Sequence, residues 1–428
     1  YSVEFEIAKD VHLTTIPTTK FKNSKIVMNF TFPAHHENYA KLALLAELLE
    51  NCSAQYDSEL LVSRQLSKLY GASFGVTVLR YGNQHTLQVS ITFPNDKYLP
   101  EGEVLTPQIL AFLREMIENP FIDGDHFNDA YFEIHQKNML NYLDSIADNK
   151  EFFSTLELQR LYYPNDPDHG HFLMGNKAEM AQITAKSLYD FYKSVLASAK
   201  VTILVAGDLS EQAVIDGFKD FASFSDRAQA PYELRVIPKP IDQVQEDAKF
   251  IEGSQSVLSM AYELPIYFGD GLYFAAVIFN QLFGGSSQSL LFANVREKRS
   301  LAYDIHSSYN SLVGMDSVQA GIDYQNEQEV ISMVNQQLKQ LSAGNFSDAL
   351  LDGVKEAMIN QHRSEADHLG ALIEARYVQQ IMQSDLSDEQ WEAHIQGVNR
   401  DQISQVAKQL RLRAIYQLNS GGQSDGNH

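Results

Sequence analysis

The 428-residue chain predicts an α+β fold made twice over: duplicated antiparallel sheets, each covered by helices on one face, in two homologous halves joined by a linker. Three observations carry this expectation. Windows roughly 230 residues apart resemble one another, apolar residues alternate through hairpin-length runs inside each window, and a proline-bearing stretch without periodicity lies between them. In the repeat, "IVMNFTFP" (26–33) answers "VLSMAYELP" (257–265), with Met28 over Met260, Phe30 over Tyr262 and Pro33 over Pro265. The halves are therefore 1–224 and 247–418, with a linker at 225–246 and a disordered polar, glycine-rich tail at 419–428.

Each element has a local reason. The strand at 26–33 alternates and stops at Pro33, which has no N–H to give a ladder. "NYAKLALLAELLENCS" (38–53) and its counterpart "GLYFAAVIFNQLFGGSS" (271–287) are apolar on most faces, as buried helices are. A shorter amphipathic helix follows in each half, then a hairpin. In "ASFGVTVLRYGNQHTLQVSITF" (72–93), Phe74, Val76 and Val78 alternate with small polar residues, Gly82-Asn83 turns, and Leu87, Val89 and Ile91 return. "AYDIHSSYNSLVGMDSVQAGID" (302–323) does the same. Later helices at 185–197 and 348–382 lead to a last strand in each half, "VTILVAGD" (201–208) or "AIYQL" (414–418). One face of each sheet is left to line a cavity.

Composition narrows the function. Asp and Glu outnumber Lys and Arg by 55 to 33, a net charge of −22, so a nucleic-acid partner would meet repulsion and no basic tract offsets it. The single cysteine, Cys52, excludes an internal disulfide and a thiolate zinc site, and points to a reducing, cytoplasmic setting. No run of about 18 apolar residues suits a bilayer, and "YSVEFEIAKDVHLTTIPTT" lacks the charged-then-apolar order of a secretory signal. No membrane contact is expected.

Two constellations could carry chemistry. In "FGGSSQSLLFANVREKRSLAY" (283–303), the loop Gly284-Gly285 precedes a helix expected from about Ser289 to Arg299, with Arg296 in its last turns and Tyr303 opening the next strand. A guanidinium and a phenol both donate hydrogen bonds, a combination suited to a peptide carbonyl or a developing oxyanion. The plainer reading is a set of cations favoured by the helix macrodipole. No Gly-Lys-Ser/Thr follows the glycines, which argues against a nucleotide loop. The second constellation is histidine, in "HHE" (35–37), "EIH" (133–135) and "DPDHGH" (166–171). None has two imidazoles spaced for one helix face, so each reads as a surface or turn histidine. "GGSSQ" also lacks the Gly-x-Ser-x-Gly elbow of serine hydrolases.

The order of strand, buried helix, amphipathic helix, hairpin, linker and repeat, together with "GGSSQSLLFANVREKRSLAY", resembles the insulinase/pitrilysin family of inverzincin peptidases. The likeness is greatest to the short bacterial members and the mitochondrial processing peptidase subunits, and spans about Lys20 to Leu418. It implies that active relatives carry His-x-x-Glu-His on the first buried helix and a second glutamate on a later one. Here that helix reads "LALLAELLENCS", and neither register, ending at Glu47 or at Leu48, contains histidine; the later glutamate aligns with Tyr142. The resemblance therefore implies no metal, no cofactor and no catalytic residue in this chain, with Glu47 a paired structural remnant. It also implies that Arg296 and Tyr303 match the family's substrate-holding pair, while Gln288 stands where family loops often have arginine. The expected function is a non-catalytic subunit of a heterodimeric zinc peptidase, with a zinc-bearing homologue as partner and a peptide or protein as substrate. The alternative is a non-enzymatic binding or scaffold protein. Bacterial relatives that occur as pairs, one with the zinc motif and one without, are associated with modification of elongation factor P by 5-aminopentanol.

Overall fold

The computed structural model describes residues 1–421 and divides them into two compact units. The first comprises 1–144, 172–233 and 366–381; the second comprises 145–171, 234–365 and the chain from 382 onward. The α+β class and the duplication are borne out, with three additions that sequence pattern did not disclose.

The first unit holds strands β1 (Val3–Ala8), β2 (Val11–Pro17), β3 (Asn23–Pro33), β4 (Ser73–Tyr81) and β5 (Gln84–Pro94). A small hairpin, β6 (Ile122–Asp123) with β7 (His126–Phe127), stands apart, and β8 (Lys200–Gly207) completes a sheet ordered β1-β2-β8-β3-β5-β4. The second unit holds β9 (Gln245–Ile251), β10 (Ser256–Glu263), β11 (Ala302–Asn310), β12 (Met315–Ile322) and β13 (Arg411–Ser420), ordered β11-β12-β10-β13-β9. Read from the hairpin edge, β4-β5-β3-β8-β2 and β11-β12-β10-β13-β9 are the same path through a sheet, and β1 is an extra edge strand. The first addition is one parallel pair in each otherwise antiparallel sheet, β2 with β8 and β9 with β13, at equivalent places.

The second addition concerns the face expected to be open. In β3, Ile26, Met28 and Phe30 enter the main core while Val27 points the other way; in β10, Leu258, Met260 and Tyr262 enter the core while Val257 and Ala261 point away. Those second faces are covered. The helix Lys150–Tyr162 covers one, and the helix Leu369–Ile381 covers the other through Ile373 and Tyr377, which meet Val27 and Leu204. Tyr377 also accepts a hydrogen bond from the Gln84 side chain at 2.9 Å. Each unit thus takes a helix from the opposite half of the sequence, and the single division at 225–246 becomes an interleaved one.

The helices that matter for the site are α1 (Tyr39–Asn51), α2 (Glu59–Lys68), α3 (Thr106–Glu118), α4 (Asp129–Ser145) and α5 (Lys150–Tyr162). Helix α1 is buried along most of its circumference, as its uniformly apolar surface requires. Helix α5 packs Leu158, Leu161 and Tyr162 on Val257, Tyr416 and Leu418. Buried Arg413 fixes its end, donating to the Tyr162 and Lys239 carbonyls at 2.7 Å each and pairing with Glu263.

The third addition lies at the tail. Asn419 and Ser420 belong to β13, paired with Phe250 and Ile251 of β9, because the edge of β9 offers them a ladder; the rest of the expected tail lies outside the described residues. Among the described residues no helix is long and apolar enough to cross a membrane.

His85 makes a testable consequence of this packing. It is fully buried between Phe32 and Tyr39, edge-on to both at 5.2 and 5.0 Å, and neither ring nitrogen has a hydrogen-bond partner among the described residues. Burial, with the charges of Arg80 and His35 nearby, pushes its pKa down to about 3. The unfolded chain binds a proton near pH 6.5 that the fold refuses, so this residue removes stability as pH falls below that value. His85→Phe is expected to make the loss of stability between pH 7 and 4.5 about 2 kcal/mol smaller, read from urea midpoints at the two pH values.

Candidate functional site

The residues singled out by the sequence lie in two places, one in each unit. In the first unit, α1 and α4 meet over β4 around a pocket of about 360 Å³. Helix α1 contributes Ala43, Ala46 and Glu47, α4 contributes Asn138, Met139 and Tyr142, and Val76 and Val78 of β4 close one side. Residues three and four apart share a helix face, so the pocket selects the register that ends at Glu47. Leu44 and Leu48, which the other register would require, are in the core. On the resemblance, the positions at which active relatives carry metal ligands and base would then be Ala43, Ala46, Glu47 and Tyr142. Two methyl groups, one carboxylate and one phenol do not form the three-ligand nitrogen and oxygen set that holds catalytic zinc, and the site does not fit that metal.

The carboxylate is held in place by an imidazole. Glu47 Oε1 lies 3.1 Å from His135 Nδ1, and His135 Nε2 lies 3.6 Å from a Glu59 oxygen of α2. His135 is 2% exposed and packs edge-on against Tyr131, with ring centroids 4.5 Å apart. This corrects the surface reading of "EIH": His135 faces inward because it is one turn from Met139 and two from Tyr142, on the face that α4 turns to α1. His169 lies in the one-turn helix Pro167–Gly170 rather than in a loop, with Nδ1 2.8 Å from Asp166. Glu50, one turn beyond Glu47, accepts from the Val76 N–H at 3.0 Å. Burial raises its carboxyl above the usual range, the Val76 bond opposes this, and the charge on Glu47 adds to it. The Cys52 thiol, pushed up to about 11 by burial, is not a nucleophile at neutral pH.

In the second unit, the helix Tyr273–Asn280 widens into a π-turn, Gln281–Gly285, and a second π-stretch, Phe292–Glu297, carries Arg296. The regular helix expected from Ser289 to Arg299 is thus replaced by wide turns, closed by Lys298 N–H to Ala293 C=O at 3.0 Å and by left-handed Ser300. The glycines serve close approach. A Cβ on Gly284 would lie 2.7 Å from Ser307 Oγ and 2.9 Å from Leu291 Cδ1, so the absence of one lets β11 reach the loop. On Gly285 it would lie 2.7 Å from the Asn280 amide. Beneath the loop, with its amide nitrogen turned inward, Asn280 donates to Ser307 Oγ at 2.7 Å and to the two Asp316 oxygens at 3.0 and 3.2 Å. Asp316 is fully buried, which raises its carboxyl well above the usual range.

Arg296 is exposed, its guanidinium 4.6 Å from the Phe292 ring centroid. Tyr303 sits at a β-bulge between Ala302 and Asp304 and is 57% exposed, its ring turned out by the bulge. Its hydroxyl donates to Asp323 Oδ1 at 2.6 Å, so toward solvent it offers lone pairs rather than a proton. That bond is also the main reason its pKa is raised. The structure brings the glycine loop to β11 through Ser307, and it leaves Arg296 and Tyr303 on the surface on either side of the Ser300 turn. Gln288, in the arginine's place, lays its side-chain oxygen 2.8 Å from where a Cβ on Gly353 would be, against the helix Asp348–Glu365.

Gly284→Ala is expected to lower stability by about 1–3 kcal/mol through overpacking. Ser307→Gly in the same chain should restore part of that loss, as measured by urea denaturation of the two variants.

The pattern has counterparts among known proteins. Residues 182–358 match the family described as Peptidase M16 inactive domain. The chain is 28% identical over 408 residues, 94% of each protein, to "Probable inactive metalloprotease YmfF" of Bacillus subtilis strain 168. A crystal structure of a conserved protein from Enterococcus faecalis superposes with a TM-score of 0.93 at 34% identity, covering 99% of this chain and 100% of the other. A crystal structure of a peptidase M16 inactive domain from Pseudomonas fluorescens shares the fold at a TM-score of 0.79 and 18% identity, with 99% and 100% coverage.

Proposed function

Because this chain belongs to the insulinase/pitrilysin (M16) family as an inactive peptidase homologue, we propose that it serves as the non-catalytic subunit of a two-chain zinc peptidase. One observation carries the reading. The first unit has alanines where a metal site needs ligands, whereas the second unit carries Arg296 and Tyr303 at the surface, in the segment that follows the Gly284-Gly285 loop. A zinc-bearing homologue would supply the hydrolytic centre, and this chain would hold the peptide.

The two side chains suit complementary edges of an extended backbone. The Arg296 guanidinium presents a rigid fork of donors to a carbonyl oxygen or to the oxyanion that develops from it. Tyr303, its proton engaged by Asp323, presents an acceptor to a peptide N–H. A net charge of −22 favours basic peptides in the encounter. The single, buried cysteine agrees with a cytoplasmic setting. A second reading, a scaffold protein associated with modification of elongation factor P and without a peptidase role, draws support from the Tyr303–Asp323 bond. A phenol committed in that way suits backbone binding better than oxyanion stabilisation.

Co-expression with a zinc-bearing homologue is expected to give a stable complex that cleaves basic peptides. In that complex Arg296→Ala should lower turnover roughly tenfold to a thousandfold, and Tyr303→Phe, which removes an acceptor for the peptide N–H, should raise KM, neither dissociating the subunits. Unchanged turnover and KM remove both residues from the mechanism, and binding without cleavage selects the scaffold reading. Metal analysis of the purified chain alone should find far less than one equivalent of zinc; a full equivalent overturns the assignment of an inactive first unit.

A further inference from the structure

We propose that the outer edge of β9 is an interface for a second copy of this chain, whose own β9 adds to it antiparallel about a two-fold axis at Ala248. The inference concerns the second unit alone and holds whether or not the chain acts within a two-chain peptidase. It starts from a difference between the two sheets. They follow the same path, but in the first unit β1 lies antiparallel along the outer edge of β2, whereas among the described residues no strand pairs with the outer edge of β9. Glu246, Asp247, Ala248, Lys249 and Phe250 are all exposed there.

An open edge offers its backbone groups to any strand, and charged side chains are the usual means of keeping strands away. In β9 two of the charges are of opposite sign and share a face. Asp247 and Lys249, two residues apart, both face α5, where Arg160 lies 3.0 Å from Asp247 and the Lys249 ammonium stands 5.1 Å from the Phe153 ring centroid. Glu246, Ala248 and Phe250 take the other face, with Phe250 edge-on to Tyr324 at 5.8 Å.

That spacing makes the edge complementary to itself in one register. A two-fold axis normal to the sheet keeps each face on its own side, so between identical antiparallel strands it passes through a residue and not between two. An axis through Asp247 or Lys249 sets like charges against each other. An axis through Ala248 sets Asp247 opposite Lys249 of the second copy, and does so twice. The residue on the axis is then the smallest side chain of the strand. The backbone agrees with this choice. The Ala248 N–H donates to Oδ1 of Asp247 at 2.9 Å, an exposed contact that a strand laid along this edge replaces with a carbonyl. The two alanines then exchange N–H···O=C bonds, which makes each flanking Asp–Lys pair the non-hydrogen-bonded kind, whose side chains lie closer. Oδ1, released from the amide, is free to meet the ammonium while Arg160 keeps Oδ2.

Sedimentation equilibrium of the full chain tests the interface at about 0.15 M salt, where repulsion between two chains of net charge −22 is screened beyond about 8 Å. One strand pair makes a small interface, so a monomer–dimer equilibrium with a dissociation constant on the order of 10–100 µM is expected. Lys249→Asp and Asp247→Lys each set like charges together, and each should weaken the dimer roughly tenfold. An equimolar mixture of the two variants should recover it, because an edge with two lysines then meets an edge with two aspartates. Hydrogen exchange of the unaltered chain needs no variant to fold: the amides of 245–251 should exchange more slowly as concentration rises through the dissociation constant. A chain that stays monomeric up to about 1 mM overturns the proposal. So does a dimer whose β9 amides gain no protection, a dimer that both substitutions leave intact, or a mixture no more dimeric than either variant alone.

Discussion

The constraint on which this structure depends is that the central strands of each sheet are buried on both faces. Alternation along β3 and β10 sends alternate side chains to opposite faces, and both sets are buried. A sheet of this kind needs cover on two sides, and each half of the sequence supplies cover for only one of its own. The second layer comes from α5 for one sheet and from Leu369–Ile381 for the other. Arg413 shows how firmly the exchange is made. A buried guanidinium is tolerable only when its donors are satisfied, and here they meet the last carbonyl of α5, the Lys239 carbonyl and the Glu263 carboxylate. The cation therefore ties the borrowed helix to the sheet it covers.

Within that frame the α1–α4 pocket is present without a set of ligands for a metal. Methyl groups stand at two of the positions, so the space between the helices is lined by hydrocarbon with a single carboxylate remaining. A partly buried carboxylate needs a partner, and His135 provides one from α4 rather than from α1. An imidazole is present at the site, but as a hydrogen-bond partner behind the carboxylate. The loop of the second unit is set by packing, its glycines lying against Ser307 and Asn280, contacts that require no metal.

Much of the architecture could be read in the sequence because period-two alternation and uniformly apolar helices are local signals. The two hairpins, the two buried helices and the repeat all follow from them. The register of α1 could not be read: a helix apolar on every side carries no periodicity to say which face meets a pocket, and only the position of Ala43, Ala46 and Glu47 on the pocket wall settles it. His135 was misjudged because its partner is 88 residues away in the chain, and a lone histidine on an amphipathic helix has no local mark of burial. The π-turns were missed because residue preferences do not separate i→i+5 from i→i+4 closure. Likewise, the donor role of Tyr303 toward Asp323 depends on strand pairing that brings together residues 20 apart. The identity of a helix's covering sheet is a global property, and nothing in α5 or Leu369–Ile381 announces it.

The reciprocal loan of helices has a bearing on heredity as well as on packing. Although the sequence looks like two copies of one ancestor set end to end, a gene broken at residues 225–246 would yield two products, each missing a piece that its own sheet requires and carrying one that it does not. Fission into independent genes, or recombination of one half with a foreign mate, is thus penalised at the level of folding.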